Sequence, residues 1–126
     1  MNRRQRLGAQ GEATAVAHLQ QQGYQLLERN YRCPVGEVDA VLVDGETLVF
    51  LEVRARRGSA AGTPEESITR AKARHLALAA QTYLEAHGQA EAPWRIDLIA
   101  LELSRDGSLS RLRHHKSAVE EPPLDA

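Results

Sequence analysis

The sequence predicts an α/β fold in which a mixed β-sheet is flanked by helices, in the order α-β-β-β-α-β-β. Two stretches, residues 6–22 and 63–86, repeat apolar residues at helical spacing. The remaining chain holds β-rich runs bounded by turn signals, which places strands between and after the helices. A length of 126 residues accommodates one core and excludes a second. A single domain over residues 1–116 is therefore expected, followed by an acidic, disordered tail at 117–126.

The first helix, Arg6 to Gln22, carries Ala9, Ala13, Val16, Ala17 and Leu19 on one stripe, and Gly23 stands where a helix C-terminus favours glycine. Tyr24 to Tyr31 is a modest strand ended by the turn signal Cys33-Pro34-Val35-Gly36. Glu37 to Val43 and Thr47 to Ala55 form a hairpin around Asp44-Gly45-Glu46. Both runs are apolar on both faces, as in strands covered on each side. Arg56 to Gly62 reads as a flexible basic loop. Thr63-Pro64-Glu65-Glu66 looks like a capping box opening a helix to about Ala86, with Thr69 a rival start and Gly88 a stop. Trp94 to Leu103 is a strand, and Arg105-Asp106-Gly107-Ser108 turns the chain into a last one near Leu109 to His115.

The charge total of 16 Lys+Arg against 17 Asp+Glu, net -1, argues against a polycation held on nucleic acid by bulk charge. Its distribution is uneven. Residues 1–35 carry five Arg and two Glu, residues 36–53 five acids and no base, and residues 54–75 six Lys or Arg and two Glu. Acids flanked by cations suit a metal-assisted reaction on a polyanion. The basic N-terminus lacks the apolar stretch of a signal peptide, and the longest apolar run, Leu76 to Ala80, is far short of the ~20 residues that span a bilayer. A cytoplasmic protein with no membrane partner is expected. The lone Cys33 fits a reducing compartment, and no residue placed beside it suggests a thiolate nucleophile.

If Gly45-Glu46 is the two-residue hairpin loop, Asp39 lies opposite Glu52 and Glu37 opposite Arg54. If Asp44-Gly45 is the loop, Glu37 opposes Glu52. Either register puts the four residues on one face, shared with Val41, Leu48 and Phe50. Opposed carboxylates with Cβ atoms about 4.5–5.5 Å apart repel unless a cation lies between them. Mg²⁺, which takes oxygen ligands from carboxylates and phosphates, is the natural candidate. Glu12 falls on the helix stripe of Val16 and Leu19, where a charge needs a partner. On spacing alone a salt bridge to an arginine is the better outlet and a metal site the other. Gly8 and Gly11 hint at close backbone approach. Adjacent strand residues such as His114 and His115 point to opposite faces, so they cannot chelate together. Asp97 is read as the partner of a nearby arginine.

Gly36-Glu37-Val38-Asp39 followed by Glu52-Val53-Arg54 resembles the motif of the PD-(D/E)xK nuclease superfamily, and Glu12 resembles the extra acid of archaeal Holliday junction resolvases. Together with Gly11, Arg29-Asn30-Tyr31, Leu48 to Leu51, Lys72 and Arg95-Ile96-Asp97, these residues resemble the bacterial YraN-like family over residues 6–115. The resemblance implies a restriction-endonuclease-like core in which Glu12, Asp39 and Glu52 hold Mg²⁺ or Mn²⁺ for phosphodiester hydrolysis in DNA with branched or non-duplex features. Arg54 stands where the superfamily has its catalytic lysine. An arginine keeps its proton, so Arg54 can hold a phosphate oxygen but cannot act as a base. Glu37, in place of the motif's proline, borders the site without chemistry of its own. Arg56, Arg57, Arg70, Lys72 and Arg74 are candidates to track a phosphate backbone. A homodimer is expected, because symmetric cleavage of two strands needs two copies of a small single-site domain.

Overall fold

A computed structural model describes residues 3–58 and 62–119. Helix α1 (Arg3–Gln21) is followed by strands β1 (Gln25–Cys33), β2 (Gly36–Asp44) and β3 (Thr47–Arg57), helix α2 (Arg70–Ala86), and strands β4 (Trp94–Leu103) and β5 (Leu109–Val119). The strands form one sheet in the order β1-β2-β3-β4-β5, parallel between β3 and β4 and antiparallel elsewhere. This is the mixed α/β architecture and element order expected from the sequence.

The two helices cover opposite faces. Ala15, Val16 and Leu19 of α1 pack with Ala40, Leu42, Val49, Leu51, Ile99 and Leu101. On the other face Leu76, Ala80, Tyr83 and Leu84 of α2 pack with Val38, Val41, Leu48, Phe50 and Ile96. That arrangement explains why the inner strands are apolar on both sides. Gly11 lets α1 lie close to the sheet, since a Cβ there would stand 3.3 Å from Leu101. Gly8 meets nothing within 4 Å, so it marks no close approach.

Both helices end in the same hydrogen-bonded turn. Tyr24 N–H donates to Leu19 C=O and Gly23 N–H to Gln20 C=O, and the pattern repeats from Gln89 to Leu84 and Gly88 to Glu85. Gly23 and Gly88 take the positive φ that this turn requires.

The start of α2 differs from the first sequence reading. The Thr63–Glu66 capping box forms, with Thr63 Oγ1 accepting from Glu66 N–H and donating to Glu66 Oε1. It caps only a single 3₁₀ turn, Glu65–Ser67, because Ile68 is extended. The helix begins after Thr69, whose Oγ1 accepts from Lys72 N–H at 3.1 Å. Arg56 and Arg57 extend β3 rather than opening a loop, and Ser117–Val119 extend β5 beyond the expected tail boundary. The remainder of that tail, residues 120–126, lies outside the described residues. Among the described residues no helix is long and apolar enough to cross a membrane.

Candidate functional site

The hairpin takes the register set by a Gly45-Glu46 loop, with Val41 opposite Phe50 and Asp44 opposite Thr47. Gly45 has φ 62°, and Glu46 does not share the positive φ, as a II′ turn requires. The ladder stops at Ala40–Leu51, one pair short of Asp39 and Glu52. Val38 and Val41 pack into the same core cluster although strict alternation would put them on opposite faces. The parity of β2 therefore breaks at Asp39. Across the β1–β2 ladder, Asn30 lies between the Arg29–Ala40 and Tyr31–Val38 pairs and has φ 55°. Both strands are irregular at this level. Asp39 uses the break to turn its Oδ2 onto Val53 N–H, 2.7 Å away.

Three carboxylates meet at Asp39. Burial raises the Glu12 pKa, and the neighbouring Asp39 charge and hydrogen bond raise it further against the pull of Arg29. Burial and then Asp39 push Glu52 up to about 8, outweighing Lys72 and Arg54. Glu52 is 4% exposed and is one of two buried charged side chains among the described residues, the other being Asp97. Its Oε2 is 3.0 Å from Arg54 Nη2 and 3.6 Å from Lys72 Nζ. Glu12 Oε2 is 3.5 Å from Arg29 Nη2. The arginine outlet expected for Glu12 is thus present beside the other acids.

Glu37 does not share the face of Glu52. The parity break turns it away, and its Oε2 lies 3.5 Å from Arg32 Nε on the surface. The expectation of four charged residues on one face is corrected here. The basic candidates also separate. Lys72 reaches the acids, whereas Arg70 and Arg74, each two residues away, lie about 160° around the helix from it and are exposed. Arg56 is two residues beyond Arg54 on β3, and the Nε atoms of both are buried without a partner among the described residues. Arg57 lies against the β4–β5 turn, its Nη2 2.9 Å from where a Cβ on Gly107 would stand.

The sequence reads Lys72 as one of five cations that could track a phosphate backbone, not as a partner of Glu52. A signal was available: Lys72, Leu76, Ala79 and Tyr83 form one helical stripe, and a cation on a core-facing stripe asks for a partner as Glu12 did. Asp39's hydrogen bond to Val53 had no such signal.

Glu12, Asp39 and Glu52 are hard, oxygen-donating carboxylates, with Asp39 raising the pKa of the other two, and this is the donor chemistry that suits Mg²⁺ or Mn²⁺. Among the described residues, no three His, Cys, Asp or Glu side chains are already arranged to ligate one ion. The acids are instead engaged by Arg29, Arg54 and Lys72. An ion would have to displace those pairs.

The second buried carboxylate behaves differently. Asp97 accepts from Arg95 Nε at 2.9 Å, from Ser117 N–H at 3.0 Å and from His114 Nε2 at 2.8 Å. Burial raises its pKa, but these donors outweigh burial and lower it. Arg95 also reaches Tyr24 and Asp44. Asp97 is therefore the arginine partner read from the sequence. His114 and His115 point apart, the latter 2.8 Å from Glu65.

A family model described as Uncharacterised protein family UPF0102 matches residues 11–101. The chain belongs to this family. Among similar proteins, a UPF0102 protein of Geotalea uraniireducens is 45% identical over 114 residues, 90% of this chain and 89% of its own length. One from Chlorobium chlorochromatii is 48% identical over 97 residues, covering 77% of this chain and 74% of its own. One from Herpetosiphon aurantiacus is 47% identical over 106 residues, 81% and 86% respectively. The UPF0102 match spans Glu12, Asp39, Glu52, Arg54 and Lys72.

Proposed function

We propose that this chain is a divalent-metal-dependent nuclease of the PD-(D/E)xK type, hydrolysing phosphodiester bonds in DNA with branched or otherwise non-duplex features. The observation that carries the reading is the meeting of Glu12, Asp39 and Glu52 at a break in β2, with Arg54 and Lys72 against Glu52. Glu12 and Glu52 each press on Asp39, and the ion pairs to Arg29, Arg54 and Lys72 leave the pKa of both glutamates raised, so a further cation beside Asp39 would relieve the repulsion. Glu12, Asp39 and Glu52 would hold Mg²⁺ or Mn²⁺, which supplies activation of water and neutralisation of charge at the phosphate. Arg54 holds a phosphate oxygen through its guanidinium fork. Lys72 supplies from α2 the ammonium that the Arg54 position lacks, placed to orient the attacking water beside Glu52. Water adds to phosphorus, the bond to the leaving sugar oxygen breaks, and that oxygen takes up a proton.

A second reading is favoured by the same ion pairs: a nucleic-acid-binding module of this fold that does not cleave. Incubation with duplex, single-stranded, flapped and four-way-junction DNA in Mg²⁺ or Mn²⁺ separates the two. The nuclease reading expects metal-dependent cleavage, reduced about 10²–10⁴-fold in Lys72→Ala and abolished in Glu52→Ala. A gain in Arg54→Lys locates a defect at the missing lysine. Salt-sensitive binding with no cleavage in wild type or in Arg54→Lys would establish the module instead.

A further inference from the structure

A cavity of about 370 Å³ opens beside the acid cluster on the α2 face, and Glu52 belongs to both. Its walls are aliphatic: Ile68 before α2, Leu76 of α2, and Ile96 and Leu98 of β4. Its polar lining besides Glu52 is the buried Asp97 and a rim of Glu65 and His115, and Ala118 and Val119 of β5 complete it. The rim is held in place, since Glu65 accepts from Arg113 Nε at 2.6 Å and Nη2 at 2.7 Å while His115 Nε2 stands 2.8 Å from its Oε2. Pockets that take small ligands span about 300–1,000 Å³ and combine apolar walls with a few placed polar groups, so this one is at the small end.

A nucleobase has that form, with apolar faces and a hydrogen-bonding edge. We propose that this cavity receives one extruded base of the nucleotide whose phosphate meets Arg54, which makes duplex DNA carrying an unpaired nucleotide the preferred substrate class. The inference rests on the nuclease reading above. Two features select a single extruded base over an extended single strand. First, the cavity adjoins Glu52, so base and phosphate of one nucleotide can be held together. Second, the chain's five aromatic residues are committed to the core, so they offer no stacking platform for successive bases. Tyr24, Phe50 and Tyr83 are buried, Tyr31 packs edge-on to Tyr83, and Trp94 packs edge-on to Phe50. Extrusion costs least where the base is already unpaired.

The test uses three DNAs in Ca²⁺: a fully paired duplex, the same duplex with one extrahelical 2-aminopurine, and oligo(dT). Affinity and 2-aminopurine fluorescence are read for wild type, Ala118→Phe and Ile68→Trp. Both substitutions fill the cavity from its edge, and they come from different elements, so one decides if the other fails to fold. Wild type should bind the 2-aminopurine duplex at least about tenfold more tightly than the paired duplex, with a change in fluorescence on binding. The variants should lose that preference and the fluorescence change while keeping their affinity for the paired duplex. Equal binding of the two duplexes by wild type, tighter binding of oligo(dT), or a preference that survives both substitutions overturns the base pocket and leaves the nuclease reading standing. Failure of wild type to bind any of the three overturns the pocket, and failure to bind or cleave the flapped and four-way-junction DNAs as well overturns the nuclease reading with it.

Discussion

Glu52 and Asp97 are both buried carboxylates, 4% and 0% exposed, yet their acidities move in opposite directions. The difference lies in what meets the charge. Asp97 receives donors from Arg95, His114 and the Ser117 amide, whereas Glu52 shares its place with Asp39. With its pKa at about 8, Glu52 favours the protonated form in the metal-free fold, while the unfolded chain ionises near 4.5. Its contribution to stability is complete below 4.5 and is lost as pH rises through about 8. In Glu52→Gln the side chain keeps its shape and hydrogen-bonding capacity without the charge. Thermal melts of metal-free protein at pH 9 should therefore show Glu52→Gln more stable than wild type, by on the order of 1–3 kcal/mol, with the difference closing toward pH 5. Superimposable melting temperatures across that range would refute the account of Glu52.

Elements differ in how much of them can be read locally. Helix C-termini and a two-residue hairpin at Gly45 were legible because each depends on a few adjacent residues, whereas the choice between Asp44-Gly45 and Gly45-Glu46 as the loop was open until the register was seen. The beginning of α2 was ambiguous because two capping signals lie six residues apart, and the choice falls to Ile68, whose extended backbone ends the first turn. The break at Asp39 was not legible. Strict alternation is the assumption by which a strand's faces are read from sequence, and a one-residue irregularity reassigns everything beyond it, here Glu37. Pairing between β4 and β5 has a comparable irregularity, with the register shifting between Ile96 and Leu98. Asp97 occupies that gap and binds Ser117 and His114 from the opposite strand. It therefore fastens β5 to β4 as well as pairing with Arg95. Asp97→Asn keeps the volume but removes the carboxylate that His114 and the Ser117 amide meet and leaves Arg95 with Asp44 as its remaining acid, so it should cost about 1.5–3 kcal/mol of stability in chemical denaturation. A loss below about 1 kcal/mol would show that Asp44 and Tyr24 suffice to hold Arg95.

At the scale of the molecule, the near-zero net charge conceals an acidic hairpin between basic segments, and folding brings cations from three elements onto the acid cluster: Arg29 from β1 onto Glu12, and Arg54 from β3 and Lys72 from α2 onto Glu52. The sign pattern was legible along the chain. The pairing was not, because it depends on α1 and α2 covering opposite faces of one sheet. Those cations are also the competitors of any ion, and this makes metal binding measurable through folding. A ligand that binds only the folded state stabilises it by about 2.7 kcal/mol at a hundred times its dissociation constant. The wild-type melting temperature should rise progressively with Mn²⁺, and less so at lower pH, where protons hold the carboxylates. Glu52→Gln and Asp39→Asn should flatten the response. Combined with the charge relief predicted for Glu52→Gln, this gives a crossing: at pH 9 the variant begins more stable than wild type and gains little from Mn²⁺, while wild type begins lower and overtakes it. An equal rise in wild type and both variants would place Mn²⁺ elsewhere on the protein and remove the acid cluster as its site.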